Sequence, residues 1–308
     1  VTYIEIIKGE LDLIHIFYHA DTDGRCAAAV VNRKFPGQGM FHELDYKDPV
    51  PIEYIQSGDS LIIVDFSLKP EVMDQVFERI QDGSVIHLDH HITAMEYKYS
   101  RELDGIRKIG EAGCLLAWKF YFPDEPIPTT IKLISDFDVF NLKFPASIPF
   151  IEGLRLEDTS PTSNLWKQLL DPREVSIVKK IVDTGKICVK YRKSICEEYA
   201  ENYGWETEFA GYKAFACGLY KFGSFLFGDR IKKYDLCLSY EYLGENNWQI
   251  GVYTTKEGIN VGDLCKKMGE KYGTNGGGHK KVGGFGAIGE LPFKKNNPKT
   301  ANSDIIYS

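Results

Sequence analysis

Three short apolar runs end in acids or imidazoles: LDLIHIFYH (residues 11–19), SLIIVDFS (60–67) and SVIHLDHH (84–91). Helical patterns lie between and after them. GRCAAAVVNRKF (24–35) follows the first run, and KPEVMDQVFERIQDG (69–83) places Pro70 at a helix start and Gly83 at its end. GEAGCLLAWKFYF (110–122) and TTIKLISDF (129–137) also read as helices. Strand and helix alternating at this spacing predict a parallel sheet with helices on both faces. Ligands of such sheets bind beyond the carboxyl ends of the strands. Asp21 and Asp23 follow the first run, Asp65 ends the second, and Asp89, His90 and His91 end the third. Three separate strands therefore carry acids or imidazoles to one edge.

The texture changes at Asp171. Val175, Val178, Val182 and Val189 recur at helical spacing, which predicts a long connecting helix over 171–206, weakened but not broken by Gly185. YKAFACGLY, YDLCLSYEYLG and WQIGVYTT then read as strands, and NVGDLCKKMGEKYG as a helix. The expected fold is α/β: a parallel-sheet domain over 1–170, the connecting helix, a smaller mixed α/β domain over 207–293, and a loose polar tail over 294–308.

Charge and cysteine usage narrow the function. Lys plus Arg total 37 against 44 Asp plus Glu, a net charge of -7, so the chain as a whole does not attract nucleic acid. A phosphate ligand then needs a local basic patch or metal ions. The seven cysteines are scattered, odd in number and without a C-x-x-C pair, which reads as buried thiols of a cytoplasmic protein. The segment VTYIEIIKGELDLIH lacks the long apolar core of a secretory signal, and no apolar run approaches the ~20 residues that span a bilayer.

Divalent cations take carboxylate oxygens, with imidazole joining them in manganese and zinc sites. His19, Asp21, Asp23, Asp65, His90 and Asp136 would supply ligands for two such ions. Each alone has a plainer reading. H-x-D-x-D can be a turn or a helix cap, and Asp65 can cap the helix that follows it. Consecutive glycines at 276–278, followed by His279, Lys280 and Lys281, can cradle a phosphate on backbone N–H groups or form a flexible turn. His15 reads as a packed core residue, and His42 and His87 as core or surface. Arg230, Lys232 and Lys233, like Arg107 and Lys108, read as solvated surface. The 18 Tyr and 18 Phe could stack bases but are more often core.

Taken in order, these motifs resemble those of the DHH phosphoesterases. His19, Asp21, Asp23 and Gly24 resemble motif I, Asp65 in IIVDFS motif II, Asp89, His90 and His91 the motif that names the family, and LISDFD motif IV. Gly276, Gly277, Gly278 and His279, continued by Gly283 and Gly284, resemble the glycine motif of the DHH-associated C-terminal domain. The resemblance runs from Leu11 to Gly289. It implies two metal ions, usually manganese with magnesium as the substitute, and hydrolysis of phosphate esters or anhydrides. Asp21, with His19 as its companion, would serve one ion. Asp23, His90 and Asp136 would serve the other, and Asp65 would bridge. His91 would donate to the transferred phosphoryl group and Asp89 would orient the histidines. The second domain would grip the far side of the substrate, and the family also suggests a homodimer. Motif I is spaced H-x-D-x-D, as in the RecJ-like branch, rather than H-x-x-x-D-x-D, which leaves the ligand role of His19 open. Motif IV offers both Asp136 and Asp138, and the family pattern favours Asp136.

The leading expectation is hydrolysis of short oligonucleotides to mononucleotides. The alternatives are a single-strand DNA exonuclease, a hydrolase of cyclic dinucleotides or 3′-phosphorylated nucleotides, an exopolyphosphatase-like enzyme, and a nucleotide-binding module without catalysis.

Overall fold

The computed structural model describes residues 13–81 and 83–295. The amino-terminal segment, the first two residues of the expected first strand (Leu11 and Asp12), and the expected tail from residue 296 onward lie outside the described residues. The chain divides into two compact units, 1–189 and 190–308.

Five strands build the sheet of the first unit: β1 (Ile14–His19), β2 (Gly39–Leu44), β3 (Ser60–Val64), β4 (Val85–Asp89) and β5 (Asp104–Arg107). They pair in the order β2-β1-β3-β4-β5, and every pairing is parallel. Alternation along the strands feeds two cores. Ile16, Tyr18, Ile62, Val64 and Leu88 pack on one face with Cys26–Val31 of α1 (Thr22–Lys34), α4 (Gly113–Tyr121) and α5 (Thr129–Asp138). Phe17, Leu61 and Ile63 pack on the other face with Met73, Val76, Phe77 and Ile80 of α2 (Pro70–Ile80). Burial on both sides explains why β1 and β3 read as near-continuous apolar runs, each such side chain contributing about 1.5–3 kcal/mol. Short helices α3 (Ile92–Glu96), α6 (Ser147–Leu154) and α7 (Asn164–Leu169) complete the unit.

The long helix forms as α8 (Val175–Tyr203), and the division between the units falls inside it. Gly185 has a packing role: a Cβ there would lie 1.6 Å from the Pro149 carbonyl oxygen of α6, so glycine lets the two backbones touch.

The second unit holds a six-stranded mixed sheet of order β10-β11-β9-β8-β7-β6. Its strands are β6 (Trp205–Phe209), β7 (Tyr212–Cys217), β8 (Leu236–Gly244), β9 (Asn247–Tyr253), β10 (Gly276–Gly278) and β11 (Val282–Ile288). Helix α9 (Val261–Lys271) covers one face over Ile250, Val252, Phe285 and Ala287. Cys196 and Ala200 from the end of α8 pack in the core of the other, with Phe215, Cys217 and Tyr253. All seven cysteines are free thiols, six of them buried. Among the described residues no helix is long and apolar enough to cross a membrane.

Candidate metal centre

The strand order of the first sheet reverses between β1 and β3, so their chains leave in opposite directions and open a crevice at their carboxyl ends. Tyr18 pairs with Val64 and Val64 with Leu88. The residues one step beyond this row are His19, Asp65 and Asp89, which places the three strand ends level at the crevice.

Asp21 combines both of its sequence readings. It is the N-cap of α1, accepting from Gly24 N at 2.8 Å through Oδ1, while Oδ2 lies 3.0 Å from His19 Nδ1. Asp65 follows β3 with φ at 53°. That left-handed conformation costs a non-glycine residue about 1–3 kcal/mol. Its N–H still donates to the Leu88 carbonyl at 2.9 Å, while the side chain is almost wholly buried (Asp65 1% exposed). Asp23 accepts from Gly113 N at 2.6 Å and Cys114 N at 2.9 Å, at the positive end of α4. Position 113 admits only glycine without displacement, because a Cβ would meet Asp65 Cβ at 2.6 Å and Asp23 Oδ2 at 3.0 Å.

His90 Nε2 faces three carboxylates: Asp65 Oδ1 at 3.1 Å, Asp138 Oδ2 at 3.3 Å and Asp23 Oδ2 at 3.9 Å. One ring nitrogen can donate to only one of them. Asp65 Oδ2 and Asp138 Oδ2 are buried with no hydrogen-bond partner. The protonation equilibria register the crowding. Burial, and then the neighbouring carboxylates, push Asp65 well above the carboxylate range, raise Asp23, and push Asp138 up to about 9. Burial lowers His90. Bringing cations into this place would relieve both the desolvation and the repulsion.

Donor atoms close enough to share an ion occur in three overlapping groups: His19, Asp21 and Asp65; Asp23, His90 and Asp138; and Asp65, Asp89, His90 and His91. Asp65 and His90 each belong to two of them. Oxygen and imidazole donors in this number fit one or two ions of the manganese or magnesium type, and the buried orphan oxygens are the groups such ions would satisfy.

Asp89 is committed differently. Its Oδ1 accepts from His90 N at 2.7 Å, His91 N at 3.2 Å and His91 Nδ1 at 2.8 Å. Its Oδ2 accepts from the Ser67 hydroxyl at 2.5 Å. Burial opposes ionisation here, but hydrogen bonds from His87 and His91 outweigh it and hold Asp89 below the usual range. The same bond raises His91. Asp89 thus fixes the His91 ring with Nδ1 protonated, leaving Nε2 as its free edge.

One ligand expectation is corrected. Asp136 does not face the cluster. Its carboxylate accepts from Lys143 N at 2.9 Å, Phe144 N at 3.1 Å and the Ser147 hydroxyl at 2.6 Å, tying the end of α5 to the start of α6. Asp138, two residues on, points at His90. At about 100° per residue the two lie on nearly opposite sides of the helix, so only one of them can face the cluster.

The glycine motif is also built differently from a loop. Gly276, Gly277 and Gly278 form β10 and pair with Phe285, Gly284 and Gly283 of β11. Most of these glycines serve close packing: a Cβ on Gly276 would meet the Cys265 carbonyl of α9 at 2.1 Å, and one on Gly278 would meet Gly283 Cα at 2.4 Å. Position 277 is the exception, with nothing within 4 Å of the missing Cβ. His279 stands exposed in the turn, its N–H donating to the Val282 carbonyl at 2.7 Å. Lys281 is occupied by Glu257 at 2.7 Å and two backbone carbonyls.

Of the remaining candidates, His15 and His87 are fully buried, and Arg230 and Lys232 pair with Glu201 and Asp229. The sequence reading passed over Gly113, Ser67 and Tyr46. Gly113 carried a signal, a glycine opening a helix that follows a strand end. The other two carried none.

No family model matches the chain. A protein of Acanthamoeba polyphaga mimivirus, uncharacterized protein R106, is 26% identical over 274 residues, which is 83% of this chain; the chain spans 60% of that relative's length. Among solved structures, the pGpG-specific phosphodiesterase PggH of Vibrio cholerae superposes with a TM-score of 0.52 at 13% identity, over 91% of this chain and 94% of that one. RecJ of Thermus thermophilus in complex with Mn2+ gives 0.49 at 13% identity, over 89% of this chain and 49% of that one. The first likeness establishes the fold alone: a two-domain α/β architecture.

Proposed function

We propose that the chain is a two-metal phosphoesterase that hydrolyses short oligonucleotides to mononucleotides. The observation that carries this reading is the crevice in which Asp23, Asp65 and Asp138 crowd His90, with two buried carboxylate oxygens that have no hydrogen-bond partner. His19, Asp21 and Asp65 would hold one ion, and Asp23, His90 and Asp138 the other, with Asp65 beside both. Bound ions of this kind supply Lewis acidity to the attacking and leaving oxygens of a phosphoryl transfer. The chain's own part follows from its hydrogen bonds. Asp89 holds His91 in one orientation and favours its protonated form, and the Nε2–H of that imidazolium is the edge that donates to a phosphoryl oxygen. The shared fold with a phosphodiesterase specific for the dinucleotide pGpG supports a short nucleotide substrate.

The test is manganese-dependent turnover of a 5′-phosphorylated RNA dinucleotide, with products separated by chromatography and Asp65→Asn as the blank. Release of mononucleotides by the wild type alone is expected. No release by protein that binds manganese contradicts the proposed substrate, and equal release by the blank contradicts the proposed centre.

A further inference from the structure

Beside the metal centre lies an aromatic stack that the phosphoryl chemistry does not use. Tyr46 comes two residues after β2, whose last residue, Leu44, pairs with His19. It therefore emerges at the same carboxyl edge as the site. The Asp45 N–H donates to Asp48 Oδ2 at 2.8 Å and the Asp48 N–H to the Asp45 carbonyl at 2.9 Å, closing a turn around it. The Tyr46 ring lies on Phe66 at 4.7 Å between centroids and 26° between planes. Its centroid is 5.5 Å from that of His19 and 6.1 Å from that of His91.

Exposure separates the two rings. Phe66 is 3% exposed and Tyr46 is 51% exposed. Phe66 thus stacks on one face of the tyrosine, while about half of the residue stays open to solvent. This is a half-exposed π surface beside the two histidines. Inorganic phosphate has nothing to place on it. A nucleobase does, since every base offers a π face.

We propose that Tyr46 is the stacking platform for the nucleobase next to the phosphate that enters the metal centre. The inference rests on the hydrolase reading above and deepens it. It makes the substrate a nucleotide rather than polyphosphate or pyrophosphate, and it makes selection depend on the presence of a base more than on its identity.

The experiment compares kcat and KM on the 5′-phosphorylated RNA dinucleotide with those on two versions made abasic at one or the other position. Wild type, Tyr46→Phe and Tyr46→Leu are measured with manganese; the leucine keeps Phe66 covered while removing the π face. Base stacking is worth about 1–3 kcal/mol, or roughly 5- to 150-fold. The wild type is expected to lose about that factor, mainly in KM, when one particular base is removed. Tyr46→Leu is expected to lose it on the intact dinucleotide and nothing further on that abasic version, while Tyr46→Phe stays within about twofold of wild type. An equal loss by Tyr46→Leu on all three substrates, with manganese affinity unchanged, overturns the platform and leaves the hydrolase reading standing. No turnover of any of the three by the wild type overturns the hydrolase reading and this inference with it.

Discussion

The two edges of the first sheet use the same residue types in opposite ways. At the amino edge, His15 is fully buried; its Nε2 lies 3.2 Å from Asp59 Oδ2, and its Nδ1 lies 3.1 Å from His42 Nε2. Asp59 also accepts from Leu13 N at 2.9 Å and Gln56 N at 2.7 Å. Both oxygens of that carboxylate are satisfied by the chain itself. At the carboxyl edge, His90 faces three carboxylates it cannot all serve, and oxygens of Asp65 and Asp138 have no hydrogen-bond partner. Histidine and aspartate together do not mark a site. A buried cluster of carboxylates with unfilled acceptor oxygens points to one, because a bound cation would offset their desolvation and mutual repulsion.

The largest expected effect lies at the carboxyl edge. Asp65→Asn should lower kcat by more than about a thousandfold, roughly 4 kcal/mol of transition-state stabilisation, with an unchanged circular dichroism spectrum. Asp59→Asn at the other edge should reverse the pattern. It should cost about 1–3 kcal/mol in urea unfolding and leave the kcat of the folded enzyme within about twofold. Comparable losses of kcat in both variants would erase the distinction between the edges.

The same contrast recurs within two residues. Asp138→Asn should lower kcat about a hundredfold or more while stabilising the metal-free protein, since it removes a repelled carboxyl group. Asp136→Asn should cost about 1–3 kcal/mol of stability by breaking the tie between α5 and α6. Turnover and thermal unfolding of both variants, with and without EDTA, separate the two roles. Gly113→Ala lies between them: its Cβ collides with Asp65 and Asp23, so it should cost about 1–3 kcal/mol and weaken manganese binding together.

The pH dependence of stability tests the same crowding without the metal. Carboxyl groups raised in the folded state, Asp138 to about 9, bind more protons folded than unfolded. Their contribution is complete below the unfolded value near 4 and is lost as pH rises through the folded one. The melting temperature of EDTA-treated protein should therefore fall from about pH 5 toward pH 9, relative to that of Asp138→Asn. The stabilisation by manganese should grow over the same range. A metal-free melting temperature that rises with pH relative to that variant would contradict the crowding of the cluster.

Much of this was legible in the sequence, and the gaps have physical causes. Strands β1, β3 and β4 are apolar because they are central, and the chemistry at their ends shows at once. Strands β2 and β5 sit at the sheet edges, half-covered, with GMFHEL and DGIR showing no clear period. The glycine run reads as a turn by composition, yet it pairs as β10 with β11, where a side chain at 276 would meet α9 and one at 278 would meet β11 itself. Asp136 and Asp138 could not be ranked by spacing, since only the packing of α5 on its neighbours decides which side of the helix faces the cluster. Tyr46 gave no signal because its role depends on a stack with Phe66, which comes from another strand end.

The carboxyl edge, as we propose it, holds two divalent ions. Equilibrium dialysis against Mn2+ tests it most directly, on EDTA-treated wild type and on Asp65→Asn with its fold verified by circular dichroism. Two equivalents per chain are expected for the wild type and a clear loss for the variant. No manganese bound by folded wild type, or binding undiminished in Asp65→Asn, would contradict it.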